Sequence, residues 1–211
     1  MKKILLAILL SLSISLSAKE IDMTHSKGIN QDNDGKADSA LATVSILINS
    51  KEEVINGYVL PPKPDEAVNN STLLGVDVND NGVRDDLERW IIKKYATSDY
   101  PKTKTAIALQ WGRTAQQIIQ NPESAYEDKK YWLINNVMNC QMYAYSRKLK
   151  KDGNYRIDND IFDDEYVDKV FNTKERIKAY YHFNANLAGH VYGGSKVHPS
   201  KCDFDIDAIQ E

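Results

Sequence analysis

The 211-residue sequence predicts a mainly helical protein, an irregular bundle of about four helices with a short β-hairpin near its N-terminus. Three observations predict this class. After residue 83, apolar side chains recur at intervals of three and four, as on one face of a helix. Proline, glycine and asparagine divide that part of the chain into segments of helical length. The two runs rich in β-branched residues both lie before residue 61.

The first 18 residues predict a signal peptide. A basic start at Lys2 and Lys3 precedes an apolar run over residues 4–16, and Ser17-Ala18 offers a small-residue cleavage site. The apolar run is shorter than the roughly 20 residues that cross a bilayer. We therefore expect export to the periplasm or the exterior, with no membrane anchor once the signal peptide is removed.

Residues 19–64 predict a polar N-terminal segment that ends in a proline-rich linker. Within it, residues 41–48 and 54–60 have the β-branched content of two short strands. Three prolines in residues 61–64 then favour a stiff, extended connection. The folded body is accordingly expected to be a helical domain over residues 65–211.

Apolar stripes of helical spacing predict four helices in that body, over residues 83–97, 101–121, 124–149 and 173–187. Pro101 suits a first helical turn, and Asn121-Pro122 stops the second helix. Asn172 or Thr173 can cap the fourth helix, and Gly189 lies just past its end. The short connections between the helices favour one bundle with a single core.

A twelve-residue segment at the start of the first helix, residues 77–88, has an oxygen donor at every position that a calcium loop requires. Calcium takes six to eight oxygen ligands at roughly 2.3–2.6 Å, and a short segment supplies them only if it curls around the ion. Gly82 at position six suits the sharp turn. The predicted ligands are five side chains and, at position seven, a backbone carbonyl: Asp77, Asn79, Asn81, Val83, Asp85 and Glu88.

The alternative to a calcium loop is a surface turn rich in Asn, Asp and Gly, followed by a helix whose first turn is acidic. Such a turn would account for Asp85 and Asp86. It would not account for three alternating oxygen donors followed by Glu88 at the required distance. A chance match to the whole pattern arises roughly once in a few thousand chains of this size, so the pattern favours calcium.

Residues 77–88 resemble the EF-hand loop, and more closely the loop and exiting helix of dockerins and similar bacterial secreted proteins. Two features depart from the EF-hand pattern. Position eight, usually Ile or Val, is Arg84, and residues 61–75 are a poor match to a long entering helix. The resemblance implies a single loop that clamps the start of one helix rather than a paired sensor lobe. The whole chain also resembles uncharacterised exported bacterial proteins that carry an NGVRDD segment.

A second acidic segment, residues 28–38, carries a shorter pattern of the same kind. It resembles the calcium repeats of thrombospondin type 3 segments. Its candidate oxygen ligands are Asn30, Asp32, Asp34 and Asp38. The position that would supply the closing carboxylate is Leu41, so a solvated acidic turn explains this segment equally well.

The two cysteines, Cys140 and Cys202, predict one disulfide bond, as expected for an even number in an exported chain. The bond would hold the C-terminal tail on the third helix. The alternative is two separate thiols, one of them buried. Neither cysteine lies in the basic or His-flanked context that activates a catalytic thiolate.

The charge balance gives no reason to expect nucleic acid or an anionic membrane as a partner, since 27 basic side chains face 30 acidic ones. The common nucleophile-elbow, zinc-protease and phosphate-loop motifs are absent from the sequence. Its four histidines show no spacing that favours a joint metal site: His25, His182, His190 and His198.

These features predict an exported protein with a structural calcium ion and a helical body that binds an unidentified protein or glycan. The alternative is a calcium-stabilised hydrolase acting on a cell-envelope polymer, with an acid–base pair from an acidic cluster. A cluster carboxylate beside His182 or His190 in a cleft would favour that enzyme. The members of this acidic cluster are Asp158, Asp160, Asp163, Asp164, Glu165 and Asp168.

Overall fold

The computed structural model describes residues 52–126, 129–147, 161–190, 194 and 196–211, and it confirms a mainly helical protein with a short hairpin. Two strands come first, β1 (Val54–Ile55) and β2 (Tyr58–Val59). Six helices follow in the described residues: α1 (Glu66–Asn70), α2 (Asp85–Tyr95), α3 (Pro101–Gln120), α4 (Tyr131–Arg147), α5 (Asp164–Val170) and α6 (Lys174–Leu187). Short 3₁₀ turns form at Pro122–Ser124 and Pro199–Lys201.

Several sequence predictions concern residues outside the described part of the chain. They are the signal peptide over residues 1–18, the strand over residues 41–48 and the second acidic loop with its candidate ligands Asn30, Asp32, Asp34 and Asp38. Among the helices that are described, none has the length and apolar character to cross a membrane.

The hairpin is shorter than the sequence predicts, with two residues in each strand. β1 and β2 pair in antiparallel register, with Val54 opposite Val59. Between the strands, Asn56 and Gly57 have φ angles of 51° and 86°, the positive values of a type I′ turn. The prediction of one strand over residues 54–60 is therefore wrong, because the Asn-Gly pair reverses the chain in its middle.

Helix α3 lies at the centre of the core and contacts α2, α4 and α6. Its 20 residues begin at Pro101, and it ends at Gln120, before Asn121-Pro122, as predicted. Ile107, Ala108 and Ile119 on this helix are fully buried. Because α3 touches three other helices, it links the N-terminal and C-terminal parts of the body.

Helices α2 and α6 also confirm the sequence prediction. α2 begins two residues after the predicted start and ends at Tyr95. At the start of α6, the side chain of Thr173 accepts a hydrogen bond from the Arg176 amide, which is the predicted cap. Gly189, just beyond the end of α6, has a φ of 83°.

One helix boundary is wrong in the sequence prediction. The third predicted helix starts at Ser124, whereas α4 starts at Tyr131. Residues 122–124 form a 3₁₀ turn instead, and a second turn follows in which the Lys130 amide donates to the Ala125 carbonyl. Together these turns reverse the chain between α3 and α4.

Two short helices are absent from the sequence prediction. α1 has five residues and is capped by Asp65, whose carboxylate accepts a hydrogen bond from the Val68 amide. α5 has seven residues and is capped in the same way by Asp163, which accepts from the Tyr166 amide. Both helices are too short to show a clear apolar periodicity.

The predicted disulfide is confirmed. Cys140 on α4 is bonded to Cys202, which follows the last 3₁₀ turn. The C-terminal tail is also held on α3, because Arg113 donates two hydrogen bonds to the Asp203 carboxylate at 2.6 and 2.7 Å. Ile206 of the tail is buried in the core.

We expect loss of this disulfide to lower the free energy of unfolding by about 4 kcal/mol, because the bond restricts the unfolded chain. The loop that it closes spans 62 residues. Urea denaturation of the Cys140→Ser/Cys202→Ser variant against the wild type measures the loss. A reducing agent should destabilise the wild type and leave the variant unchanged. A loss under about 1 kcal/mol would contradict the chain-entropy account.

Candidate metal centre

The segment predicted to bind calcium forms a closed loop at the start of α2. The backbone amide of Asp85 donates to the carbonyl of Val76 at 2.8 Å, which joins the two ends of the loop. Positive φ angles at Asp80 (53°) and Gly82 (80°) turn the chain between these ends. Val83 is fully buried beside α3, so the loop is anchored in the core through one apolar side chain.

Side-chain oxygens at the first, third and fifth positions stabilise the curl of the loop. The Asp77 carboxylate accepts hydrogen bonds from the amides of Asn81 at 3.2 Å and Gly82 at 2.8 Å. The side-chain oxygen of Asn79 accepts from the Asn81 amide at 3.2 Å. That of Asn81 accepts from the Val83 amide at 2.9 Å. Hydrogen bonds of this kind favour a tight turn over an extended chain.

Glu88, at position twelve, reaches back from α2 to the middle of the loop. Its Oε2 accepts hydrogen bonds from the side-chain amides of Asn79 at 3.1 Å and Asn81 at 2.9 Å. The structure thus brings the carboxylate of position twelve to the side-chain amides of positions three and five. Burial raises the pKa of Glu88, and the carboxylates of Asp85 and Asp77 raise it further, although the two amide hydrogen bonds oppose the shift.

Asp85, at position nine, is fully buried beneath the loop. Its carboxylate accepts from the Val78 amide at 3.2 and 3.3 Å. Burial raises its pKa above that of an ordinary aspartate; the hydrogen bond from Val78 opposes the shift, and nearby Asp77 adds to it. In the described part of the chain, no basic side chain forms an ion pair with Asp77, Asp85 or Glu88. The loop therefore concentrates negative charge, and the charge of Arg89 offsets part of it by lowering the pKa of Asp85.

The chemistry of this donor set fits a hard cation, since all of the predicted ligand atoms are oxygens. The hydrogen bonds of these side chains, however, join residues of the loop to one another. The amide nitrogens of Asn79 and Asn81 face Glu88, and both oxygens of Asp77 accept backbone N–H groups. Across the described residues, no group of three or more His, Cys, Asp and Glu side chains is placed to hold a metal ion. Coordination would require the two asparagine amides to turn their oxygens inward.

Arg84, the departure from the EF-hand pattern at position eight, is fully buried and ties the loop to a distant helix. Its guanidinium donates to the carbonyls of Val170 at 3.1 Å and Lys169 at 2.7 Å, and it pairs with Asp86. Those carbonyls belong to the last turn of α5, where a cation also interacts favourably with the helix dipole. An aliphatic residue at position eight could not make these contacts.

Arg176, a second fully buried arginine, holds the segment that leads into the loop. Its guanidinium donates to the carbonyls of Asn69 at 2.7 Å, Leu73 at 2.9 Å and Thr72 at 3.2 Å. Burial, with a further contribution from nearby Arg84, lowers its pKa to about 10. Neither arginine can be recognised as an anchor from local sequence, because the carbonyls that they contact lie 85 to 107 residues away.

The acidic cluster proposed for hydrolysis is not assembled around a histidine in the described residues. Asp163 and Glu165 accept hydrogen bonds from Lys94 at 2.7 and 3.0 Å, and Asp163 also caps α5. Asp164 and Asp168 are exposed on that helix. The remaining members, Asp158 and Asp160, lie outside the described residues.

The two candidate histidines lie in other surroundings. His182 Nδ1 is 3.3 Å from Glu123 Oε1, and both side chains are largely exposed. The His190 ring stacks on Tyr126 with 3.9 Å between the ring centroids. The carboxylate beside His182 is therefore Glu123, which does not belong to the acidic cluster.

Comparisons with known proteins give no relative for this chain. No protein-family model matches it, and no curated protein or solved structure matches it either. The likeness of residues 77–88 to EF-hand loops therefore remains a likeness of one motif.

The contact between Gly75 and Arg84 gives a test of how tightly the loop is held. A Cβ at Gly75, where φ is 73°, would lie 2.3 Å from Arg84 Cδ. We expect Gly75→Ala to cost about 1–2 kcal/mol for the positive φ and about 1–3 kcal/mol more for the displaced arginine. Urea denaturation measures the loss of stability.

Gly57→Ala is the matched control, because Gly57 has a similar φ of 86° and open space around its Cβ position. This variant should show the backbone cost alone. Equal losses for the two variants would mean that the Arg84 contact does not restrict the loop.

Proposed function

We propose that this chain is an exported calcium-binding protein in which residues 77–88 hold a structural Ca²⁺ ion at the start of α2. The observation that supports this most is the position of Glu88. Its carboxylate folds back onto Asn79 and Asn81, within a loop that turns at Gly82. The proposed ligands are the side chains of Asp77, Asn79, Asn81, Asp85 and Glu88 and the carbonyl of Val83.

Repulsion among the carboxylates of the loop is the reason that a cation would stabilise it. Asp85 and Glu88 are buried, and Asp77 lies close enough to raise the pKa of both. Carboxylates that repel one another in a medium of low dielectric constant destabilise the folded state. A divalent cation would offset that repulsion, and its binding free energy would add to the stability of the fold. Outside the cytosol, even a site of millimolar affinity would be occupied.

A structural role suits the loop better than a switching role. Val83 is fully buried, and Arg84 fixes the loop to the end of α5. Rotating α2 away from the loop would break these contacts and expose a buried guanidinium. We therefore assign partner binding to the helical body and not to an opening of the loop. Exposed aromatic side chains of that body, such as Tyr126 and Tyr181, suit a protein or glycan partner.

We expect calcium to raise the melting temperature of the disulfide-bonded protein after thorough chelation. At free calcium about 100 times the dissociation constant, binding adds about 2.7 kcal/mol, or roughly 5–10 °C for a domain of this size. Asp77→Asn with Glu88→Gln should abolish the rise, because it removes two of the charges that attract the ion. Differential scanning calorimetry provides the measurement.

The matched control is Asp168→Asn with Glu175→Gln, which makes the same two chemical changes at exposed positions on α5 and α6. It should keep the full calcium response. An unchanged melting curve for the wild type would reject the proposed site, and so would equal losses in the two double variants.

We also expect the stabilisation by calcium to shrink as the pH falls below 7. The pKa values of Asp85 and Glu88 are raised in the folded state, so the folded protein binds protons at a higher pH than the unfolded chain. Their contribution therefore makes the chelated protein more stable as the pH falls through the raised values. Protons also compete with calcium for the same oxygens.

Melting curves with calcium and with chelator, recorded from pH 7 to about pH 5, measure this gap. The gap should narrow steadily for the wild type. The Asp77→Asn/Glu88→Gln variant should show no gap at any of these pH values. A gap that stays constant or widens on acidification would place the calcium response elsewhere in the protein.

A further inference from the structure

A cavity of about 540 Å³ opens beside α3 and α4, and nothing in the proposed calcium function uses it. We call it the α3–α4 cavity. Two stacked aromatic pairs contribute to its wall, Trp111 with Phe162 at 4.2 Å and Phe171 with Tyr180 at 4.4 Å between ring centroids. Protein interiors are packed to near crystal density, and their voids rarely exceed a water molecule. A cavity of this volume is therefore far larger than a packing defect.

Among the described residues, the lining of the α3–α4 cavity carries no charge. The described side chains of this lining are apolar, aromatic or neutral and polar, and none of them is Asp, Glu, Lys, Arg or His. A charged ligand would lose its hydration there without gaining a partner, which is costly. Met138 and Met142, one turn apart on α4, line the cavity and are 47% and 44% exposed. Methionine side chains adapt readily to the shape of an apolar ligand.

Two neutral polar side chains in the lining offer hydrogen-bonding groups that would orient a ligand in the cavity. Gln141 lines it and is only 8% exposed, and its Oε1 accepts a hydrogen bond from the Trp111 indole at 3.0 Å. That bond occupies Oε1, and Nε2 of this cavity-lining side chain has no hydrogen-bond partner among the described residues, so it is the available donor. Thr114, which is also buried, adds a hydroxyl group to the same lining. An apolar pocket with a few placed polar groups is the usual form of a small-molecule site, with volumes of about 300–1,000 Å³.

We propose that the α3–α4 cavity binds a neutral, mainly apolar small molecule that carries a hydrogen-bond acceptor, such as a carbonyl oxygen, for Gln141 Nε2. The aromatic walls suit a flat or ringed ligand, and the uncharged lining selects against its ionised analogues. This binding activity is separate from the calcium loop and does not depend on it.

Fluorescence titration with three dyes tests the proposal on the disulfide-bonded protein. Prodan is neutral and carries a carbonyl acceptor, N-phenyl-1-naphthylamine is neutral without a carbonyl, and 1-anilinonaphthalene-8-sulfonate is the sulfonated analogue of the second dye. We expect one saturable site for each neutral dye. The sulfonated dye should bind at least about tenfold more weakly, because its charge loses hydration in the cavity.

Variants locate the site. Met142→Asp, at a partly exposed position of the lining, should weaken both neutral dyes by about tenfold or more by placing a charge at the ligand. Gln141→Leu should weaken prodan about threefold to tenfold more than N-phenyl-1-naphthylamine, since only prodan accepts the hydrogen bond. The ratio of the two dissociation constants is the readout, because the variant also removes the acceptor of the Trp111 indole and so acts on the wall that both dyes contact. Met138→Trp, which fills the cavity from another exposed position, provides a second blocking variant if Met142→Asp misfolds.

Val68→Asp is the matched control, because Val68 is 58% exposed on α1 and does not line the cavity. It should bind all three dyes as the wild type does. Failure of both neutral dyes to saturate would overturn the proposal. So would tighter binding of the sulfonated dye, or neutral-dye binding that neither blocking variant affects. A dimer that must dissociate before a dye binds would instead assign the cavity to a second copy of the chain.

Discussion

The conformation of the loop over residues 77–88 depends on the contacts of the Arg84 guanidinium. This group lies inside the protein and is satisfied by two carbonyls of the last turn of α5 and by Asp86. A buried charge that loses its partners is strongly destabilising, so these contacts must form together. They restrict the segment between Gly75 and the start of α2 to one path. The geometry of the loop is thus determined by a helix that lies 85 residues further along the chain.

The surroundings of the loop explain why an ion there would act on stability more than on shape. Arg176 fixes the chain before the loop, and Val83 anchors its end beside α3. The backbone bond between Val76 and Asp85 already closes it. What these contacts do not offset is the repulsion among buried carboxylates. A bound cation would reduce this repulsion without having to change the backbone conformation of the loop.

Local patterns in the sequence predict most of the helical fold. α2, α3 and α6 are long, amphipathic and bounded by residues that start or stop helices, so their signals need no tertiary information. α1 and α5 were missed because five and seven residues hold too few turns to show periodicity. The β-branched content of residues 54–60 predicts one strand, whereas Asn56-Gly57 forms a type I′ turn that divides these residues into a hairpin. The disulfide followed from the even number of cysteines together with the expectation of export.

The candidate sites likewise combine features that local sequence shows and features that only tertiary contacts create. The oxygen donors of the loop over residues 77–88 lie within twelve residues, so the sequence pattern shows them together. The buried arginines donate to backbone carbonyls 85 to 107 residues away, which no local pattern shows. Trp111 on α3 is buried, and its position in the wall of a cavity depends on how α3, α4 and α6 meet. One wall of this cavity is joined covalently to the C-terminal tail, because Cys140 precedes Gln141 on α4. Thiol–disulfide exchange at that bond would therefore release the C-terminal tail from the helix that contributes Gln141 to the α3–α4 cavity.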